Sequence, residues 1–430
     1  MTYSAAVSYL YRLQKHGIKL GLETMQSLAD RLGHPERAYK TLHIAGTNGK
    51  GSTAAMAAAI LKAAGVRVGL YTSPHLVDFR ERMQVDGTMI SESDTARLTE
   101  QVKRCCGTDL IPTFFEATTA MALQYFDDVK VDVAVLEVGL GGRFDATNIV
   151  TPISTAITTI ALDHQEYLGD NLASIAFEKA GIVKPGVPVV IGAIEGEARR
   201  RIEAIAVERA APLTRWGEEF HAEGSNDGFL YRSGAHRYAR LDCALIGAHQ
   251  VRNAACAIAL LEAAAPSGIS VSEAAVREGL RTVRWDGRLE VVGRNPLILL
   301  DGAHNEAGAQ ALASYLRGVR LSRPGSRIVL VLGMMRDKDH HGFAAALSGL
   351  VDHVVFTQAD LPRSVPAQDL HRSLQGLFPS AVFASAPGEA LASARQWASG
   401  DDVIGVTGSL MLVGEVKALV RGCGLSPLRG

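Results

Sequence analysis

The sequence predicts a two-domain α/β protein: an N-terminal domain over residues 1–284 built on a P-loop-type, mostly parallel sheet, then a smaller Rossmann-like α/β domain over 285–430. Three observations point there. Apolar runs of strand length alternate with helical stretches along most of the 430 residues, the pattern of parallel strands crossed over by helices. A Gly-rich turn at 46–52 joins the first such run to an Ala-rich helix. The rhythm breaks over 213–245 and resumes after WDGRLE at 285–290, and a chain of this length is expected to hold two or three domains.

In chain order, 41–45 (TLHIA) is the first strand, 46–52 the turn and 53–64 the helix. A strand follows at 66–71, a helix at 115–126, and buried strands at 131–138 (VDVAVLEV) and 153–160. Residues 213–245 are polar and Gly-rich with short alternating pieces, which reads as a small antiparallel hairpin insert. A helix at 251–265 closes the first domain. Strands at 289–292, 297–301, 328–332, 353–356 and 402–407 build the second.

Composition narrows the function. Lys+Arg is 44 against 45 for Asp+Glu, without the basic excess that gripping a nucleic-acid backbone requires, so nucleic acid is not expected as a partner. The five cysteines include an adjacent pair and no C-x-x-C, which argues against a disulfide framework or cysteine zinc site and fits a reducing cytoplasm. No apolar run reaches the roughly 20 residues that span a bilayer, and 1–17 lacks the plan of a secretory signal. A cytoplasmic, monomeric protein is the expectation.

The chemistry starts at the turn. In GTNGKGST (46–53) the glycines let several N–H groups face one point, the following helix adds partial positive charge, and Lys50 adds a full one. Such a nest holds a polyphosphate. It departs from G-x-x-x-x-G-K-[ST]: Ile44 stands where the first glycine belongs, and Gly51 separates Lys50 from Ser52. A second glycine cluster, GLGG at 139–142, would be a dinucleotide fingerprint but for Phe144 in the third glycine's place.

Several peptides occur in order: HIAGTNGKGST (43–53), TSPHL (72–76), FFEATTAMAL (114–123), EVGLGGRFDATN (137–148), LDHQEYLG (162–169), EKAGIVKPG (178–186), Asn253, GRLE (287–290) and DGAHN (301–305). Together they resemble the folylpolyglutamate synthase and dihydrofolate synthase family, of the wider Mur-ligase type. The resemblance implies ATP and magnesium, an acyl-phosphate route, and L-glutamate joined to dihydropteroate or to folates. It assigns Thr47, Asn48, Gly49, Lys50, Gly51, Ser52, Asn253, Arg288 and Asp301 to ATP, and Ser73, Glu137 and His164 to magnesium. Lys179 corresponds to a carbamylated lysine, which requires a neutral amine and hence burial. Lys50, Lys179 and His304 are the expected catalytic residues, although the role of His304 is open.

On the acceptor side the resemblance implies Lys19, Leu20, Gly21, Thr113, Phe114, Phe115, Glu116, Phe144, Asp145 and Ala146. Lysine at 19, where some two-activity members carry an acid, is a departure. One of Phe114 and Phe115 is expected to stack on an aromatic substrate and the other to pack in the core. Arg143 and Asp145 form the polar pair that favours a two-activity enzyme. Simpler readings stand beside these. Glu137 also fits a plain strand end, His164 a capped loop histidine, Lys179 a solvent-facing side chain, and Arg288 with Asp301 an interdomain salt bridge. The alternatives for the whole are polyglutamylation alone, or a cell-wall Mur ligase, which the roughly 40 residues before the turn disfavour.

Overall fold

The computed structural model describes residues 1–17, 19 and 21–426; Leu20, expected at the acceptor site, lies outside them. Three sheets organise the chain. The first has eight strands: β1 (Lys40–Ala45), β2 (Val68–Tyr71), β3 (Met83–Val85), β4 (Thr88–Met89), β5 (Val133–Glu137), β6 (Ser154–Ile157), β7 (Val189–Ile191) and β8 (Leu213–Arg215). Their spatial order is β4-β3-β2-β5-β1-β6-β7-β8, and from β2 to β8 every pair is parallel. β1, β2, β5, β6 and β7 are rich in β-branched and aliphatic residues and buried except at Lys40, as a sheet covered on both faces demands.

One face carries helix Lys50–Ala63, whose small side chains let it lie against the sheet and beneath helix Ala248–Ala264. The other carries Tyr3–Arg12, Glu92–Cys106 and Phe114–Asp128 around Phe79, Met121 and Phe126.

The predicted hairpin insert is a three-stranded antiparallel sheet, β9 (Phe220–Ser225), β10 (Asp227–Ser233) and β11 (Arg237–Asp242). It begins later than the sequence reading placed it, because Leu213 pairs in parallel with Val189 and so extends the large sheet. Phe229, Tyr231 and Leu241 pack its inner face toward the core that helix Ala248–Ala264 shares.

The third sheet has β12 (Glu290–Arg294), β13 (Leu297–Leu300), β14 (Ile328–Leu332), β15 (His353–Phe356), β16 (Ala381–Phe383) and β17 (Val403–Thr407), in the order β12-β13-β17-β14-β15-β16. Only β12 runs antiparallel to its neighbour. The linker before it turns at Gly287, with φ 68°. Lys417, 1% exposed, holds that linker by bonding both carboxylate oxygens of Glu290 at 2.6 Å and Asp286 at 2.5 Å.

Candidate active site

Strand order brings the sequence motifs together. β2, β5, β1 and β6 are neighbours in the first sheet, so their carboxyl ends deliver Ser73, Glu137, the 46–52 loop and the 158–164 segment to one edge, where ligands bind in open parallel sheets. The ends of β13, β14 and β17 deliver Asp301–Asn305, Met335–Lys338 and Ser409 from the other sheet. All but Leu162, Asn305 and Arg336 line a cavity of about 1040 Å³.

The loop is braced from β6. Thr47 N–H donates to Thr159 O at 2.7 Å, Asn48 N–H to Thr159 Oγ1 at 2.9 Å, and Thr158 Oγ1–H to Asn48 O at 2.7 Å. Two glycines are required sterically. At Gly46 (φ 147°) a Cβ would sit 2.0 Å from Thr158 Oγ1, and at Gly49 (φ 86°) 2.4 Å from Asn253 Oδ1. The missing serine or threonine after Lys50 also has a cause: a Cβ on Gly51 would meet the Trp285 indole at 3.0 Å. Lys50 Nζ donates to Gly46 O at 2.9 Å and Thr47 O at 3.1 Å, curled over its own loop. Burial lowers its pKa, against the opposing pull of Glu137 and Asp163.

Glu137 is 5% exposed and accepts the Ser73 N–H at 3.1 Å. Burial raises its pKa, while Lys50 and the Ser73 bond oppose the rise; a cation placed before it would remove that cost. His164, with φ 51°, has its pKa lowered to about 4, mainly by burial, and so presents a neutral imidazole, the ligand form. No cluster of three or more His, Cys, Asp or Glu with metal-holding geometry occurs among the described residues. The Glu137 carboxylate and Ser73 hydroxyl are the oxygen donors that a hard ion keeping several waters, such as magnesium, takes, whereas the His164 imidazole is an atypical ligand for it.

Lys179 is 4% exposed on helix Leu172–Ala180, and its pKa is lowered to about 7 by burial and then by Lys50. The solvent-facing alternative is therefore excluded: the amine faces the cavity and is half neutral near pH 7.

The sequence reading passed over the residue that joins the two sheets. Asp163 accepts from Lys338 at 2.7 Å and Asn305 at 3.0 Å, and lies 3.4 Å from His304 Nε2. Burial alone would raise its pKa, but the His304 bond and the charges of His304, His164 and Lys338 outweigh it and hold the carboxyl well below the usual range. Asn48 and Asn305 exchange side-chain hydrogen bonds at 3.2 and 3.1 Å. His304 thus faces Asp163, with Nδ1 2.8 Å from Gly302 O.

Asp301 does not pair with Arg288, contrary to the salt-bridge alternative. Its oxygens accept Leu289 N–H at 2.9 Å and Ala303 N–H at 3.0 Å, while Arg288 Nη1 donates to Gly287 O at 3.1 Å. Asn253 is steadied by Gln250 at 2.9 Å.

The acceptor wall needs reinterpretation in part. Thr113 and Glu116 form a capping box on helix Phe114–Asp128, each side chain accepting the other's N–H, at 3.1 and 2.7 Å. Phe114 is built into the core, stacked 5.1 Å from Tyr11, whereas Phe115 packs against Gly139 and stays partly exposed. Asp145 lines the cavity whereas Arg143 is not among its lining residues, and the two bond to other partners. Arg143 bonds Glu178 at 2.6 Å, and Asp145 spends its oxygens on the N–H groups of Gly139, Leu140 and Thr147, because the Gly-rich loop has few other acceptors to fold around. Phe144 is exposed beneath the Arg143 guanidinium, and Ala146 opens the short helix that Asp145 caps. Lys19 is exposed at the rim, donating to Ile111 O at 2.7 Å near Gly21.

The Mur ligase middle domain matches residues 44–261, and the Mur ligase glutamate ligase domain matches 287–410. The chain belongs to the Mur ligase family. Within this family it falls in the dihydrofolate synthase/folylpolyglutamate synthase group. It is 36% identical to the dihydrofolate synthase/folylpolyglutamate synthase of Bacillus subtilis over 431 residues, 97% of this chain and 99% of that protein. The structure of E. coli FolC in complex with DHPP and ADP is 34% identical, with a TM-score of 0.90 and 98% of each chain covered. The bifunctional folylpolyglutamate synthase/dihydrofolate synthase of Yersinia pestis, complexed with AMPPNP and Mn ion, is 36% identical with a TM-score of 0.89, again over 98% of each chain. The middle-domain match spans β2 to β8 of the first sheet, and the glutamate-ligase match spans β12 to β17 of the other. No helix among the described residues is long and apolar enough to cross a membrane.

Proposed function

We propose that this Mur ligase is a two-activity enzyme. It joins L-glutamate to dihydropteroate, giving dihydrofolate, and adds further glutamates to folates, at the expense of ATP. The observation that carries the reading is the convergence of two sets of strand ends on one cavity: the phosphate loop, Glu137 and Lys179 on one wall, and Arg288, His304 and Lys338 on the other. A ligase must hold a triphosphate, a carboxylate and an amine at once, and positioning of this kind supplies much of the rate.

The acceptor carboxylate attacks the γ-phosphorus of ATP and ADP leaves, giving an acyl phosphate. The glutamate amine, having lost a proton, adds to the acyl carbon, and phosphate departs as the amide forms. The loop N–H groups and Lys50 hold the phosphates, and Lys50 must exchange its bonds to Gly46 and Thr47 for them. Asn253 and Asp301 hold the nucleoside, and Arg288 meets the phosphates from across the cleft. Magnesium, held by Ser73, Glu137 and His164, would spread the phosphate charge when bound. Lys179 as a carbamate would place a second anion beside it, and its depressed pKa supports that chemistry. Phe115, Phe144 and the 113–116 turn form the acceptor wall, with Lys19 at its rim. The boundary at 285 lets the two domains swing about Gly287 onto ATP.

The two-activity reading rests on the similarity to relatives that bear both names. The test is a ligation assay with ATP, magnesium and radiolabelled glutamate, offering dihydropteroate, tetrahydrofolate and a muramyl precursor separately. Label should enter the first two products. Incorporation only with tetrahydrofolate would reduce the enzyme to polyglutamylation, and incorporation only with the muramyl precursor would overturn the reading.

A further inference from the structure

One buried cation has no role in the chemistry above. Arg82, at the start of β3, is 7% exposed. Among the described residues its only side-chain hydrogen bond is Nε–H to His75 Nδ1 at 2.9 Å. Because His75 Nδ1 accepts, its Nε2 carries the proton and donates to the Tyr11 hydroxyl 3.0 Å away. The guanidinium carbon lies 5.0 Å from the centre of the Phe114 ring. One edge of the fork is thus fixed by a histidine and one face by an aromatic ring, while the terminal amino groups make no hydrogen bond to any described residue. Arg82 and His75 line the large cavity together with Ser73, Phe114 and Glu137.

Glu137 acts on Arg82 through space but, among the described residues, makes no hydrogen bond to it and accepts Ser73 N–H instead; two further acids are engaged elsewhere. Glu81 accepts the N–H groups of Leu76, Val77 and Asp78, at 2.7–3.0 Å, and Glu116 caps its helix. A buried guanidinium without a carboxylate is costly unless something else supplies the anion. Of the other cations lining the cavity, Lys50 is committed to the phosphate loop, Arg288 to the opposite wall, Lys19 to a rim carbonyl and Lys338 to Asp163, while Lys179 is half neutral; Arg252 and Arg363 line it as well.

We propose that Arg82, held by His75 and Phe114, receives the carboxylate of the acceptor, the group that is to be phosphorylated. This rests on the ligase reading. A single-oxygen hydrogen bond from the fork leaves the second oxygen to attack the γ-phosphorus, and the guanidinium offsets negative charge that would otherwise repel the triphosphate.

The experiment measures binding of dihydropteroate and of its carboxamide analogue to the ADP-loaded protein without divalent metal, so that only the protein's own charges are read. The wild type should prefer the carboxylate by about 100-fold. Arg82→Gln should bring that ratio close to one while leaving ADP affinity unchanged, and Arg82→Lys should recover part of it. An Arg82→Gln protein that keeps the preference overturns the proposal. So does a wild type that ligates glutamate yet shows no preference, in which case the ligase reading stands. A wild type that neither ligates nor binds either acceptor fells both. Should Arg82→Gln fail to fold, the wild-type structure with dihydropteroate decides: an acceptor oxygen within about 3.2 Å of an Arg82 amino group supports the proposal, and a gap above about 5 Å rejects it.

Discussion

Replacing Lys179 by methionine should separate stability from activity in a way that only a buried, functional lysine allows. The side chain is 4% exposed and its pKa falls from 10.5 to about 7. Burial penalises the charged form, so the cost to the folded state is complete below pH 7 and fades as pH rises toward 10.5. Linkage puts it at about 5 kcal/mol at pH 6 and about 2 kcal/mol at pH 9, both upper figures. Methionine has nearly the same length and no charge. Lys179→Met should therefore be more stable than the wild type at pH 6, by an amount that shrinks by up to about 3 kcal/mol by pH 9, while ligation is lost. Urea unfolding of both proteins across that range, in buffer stripped of carbon dioxide, nucleotide and metal, measures the difference. Added bicarbonate at pH 8 should then stabilise the wild type alone, as the carbamate forms. A stability difference that stays flat with pH, or a methionine variant that still ligates, would refute the assignment.

Three further outcomes are expected. Lys50→Ala removes the charge facing the phosphates and should lower kcat/KM by about two orders of magnitude or more, checked by steady-state ligation. Glu137→Gln keeps the shape but not the anion, so the magnesium concentration for half-maximal activity should rise and excess magnesium should restore part of the rate; an unchanged magnesium profile would make Glu137 a plain strand end. Gly46→Ala would bring a Cβ to 2.0 Å from Thr158 Oγ1 at a φ of 147°, and should abolish ADP binding by calorimetry and cost about 1–3 kcal/mol of stability.

The parts legible in the sequence were those written in contiguous peptides. Strand runs such as 131–138 announce themselves by burial on both faces, and the phosphate loop, Glu137 and Lys179 stand inside short motifs. Asp163 stands inside LDHQEYLG without a role legible there, because its partners Asn305 and Lys338 lie 142 and 175 residues away in the chain. Arg82 was invisible for a more local reason: RERM looks like a charged surface turn until Glu81 is seen capping that turn and Arg82 bonding inward to His75. For Asp145 the motif showed the position but not the bonds: the side chain lines the cavity and also accepts three loop N–H groups, which short-range sequence does not reveal.

The place of β17 in the second sheet sets a timetable for synthesis. β17 is the last of the six strands in chain order, but it lies between β13 and β14. Until Thr407 leaves the ribosome, the two older strands have no common neighbour, and Leu297–Leu300 pairs only with β12. Translation of the intervening stretch takes roughly 4–15 s. During that interval the phosphate loop and Glu137 are complete on the first sheet while the wall that should close over them is still unmade. On the function proposed above, the loop that takes the phosphates is built before the sheet that supplies Asp301 is complete. Arrested chains ending near residue 400 should therefore bind ADP yet be cut readily by protease within 290–332, and chains extended through 426 should resist.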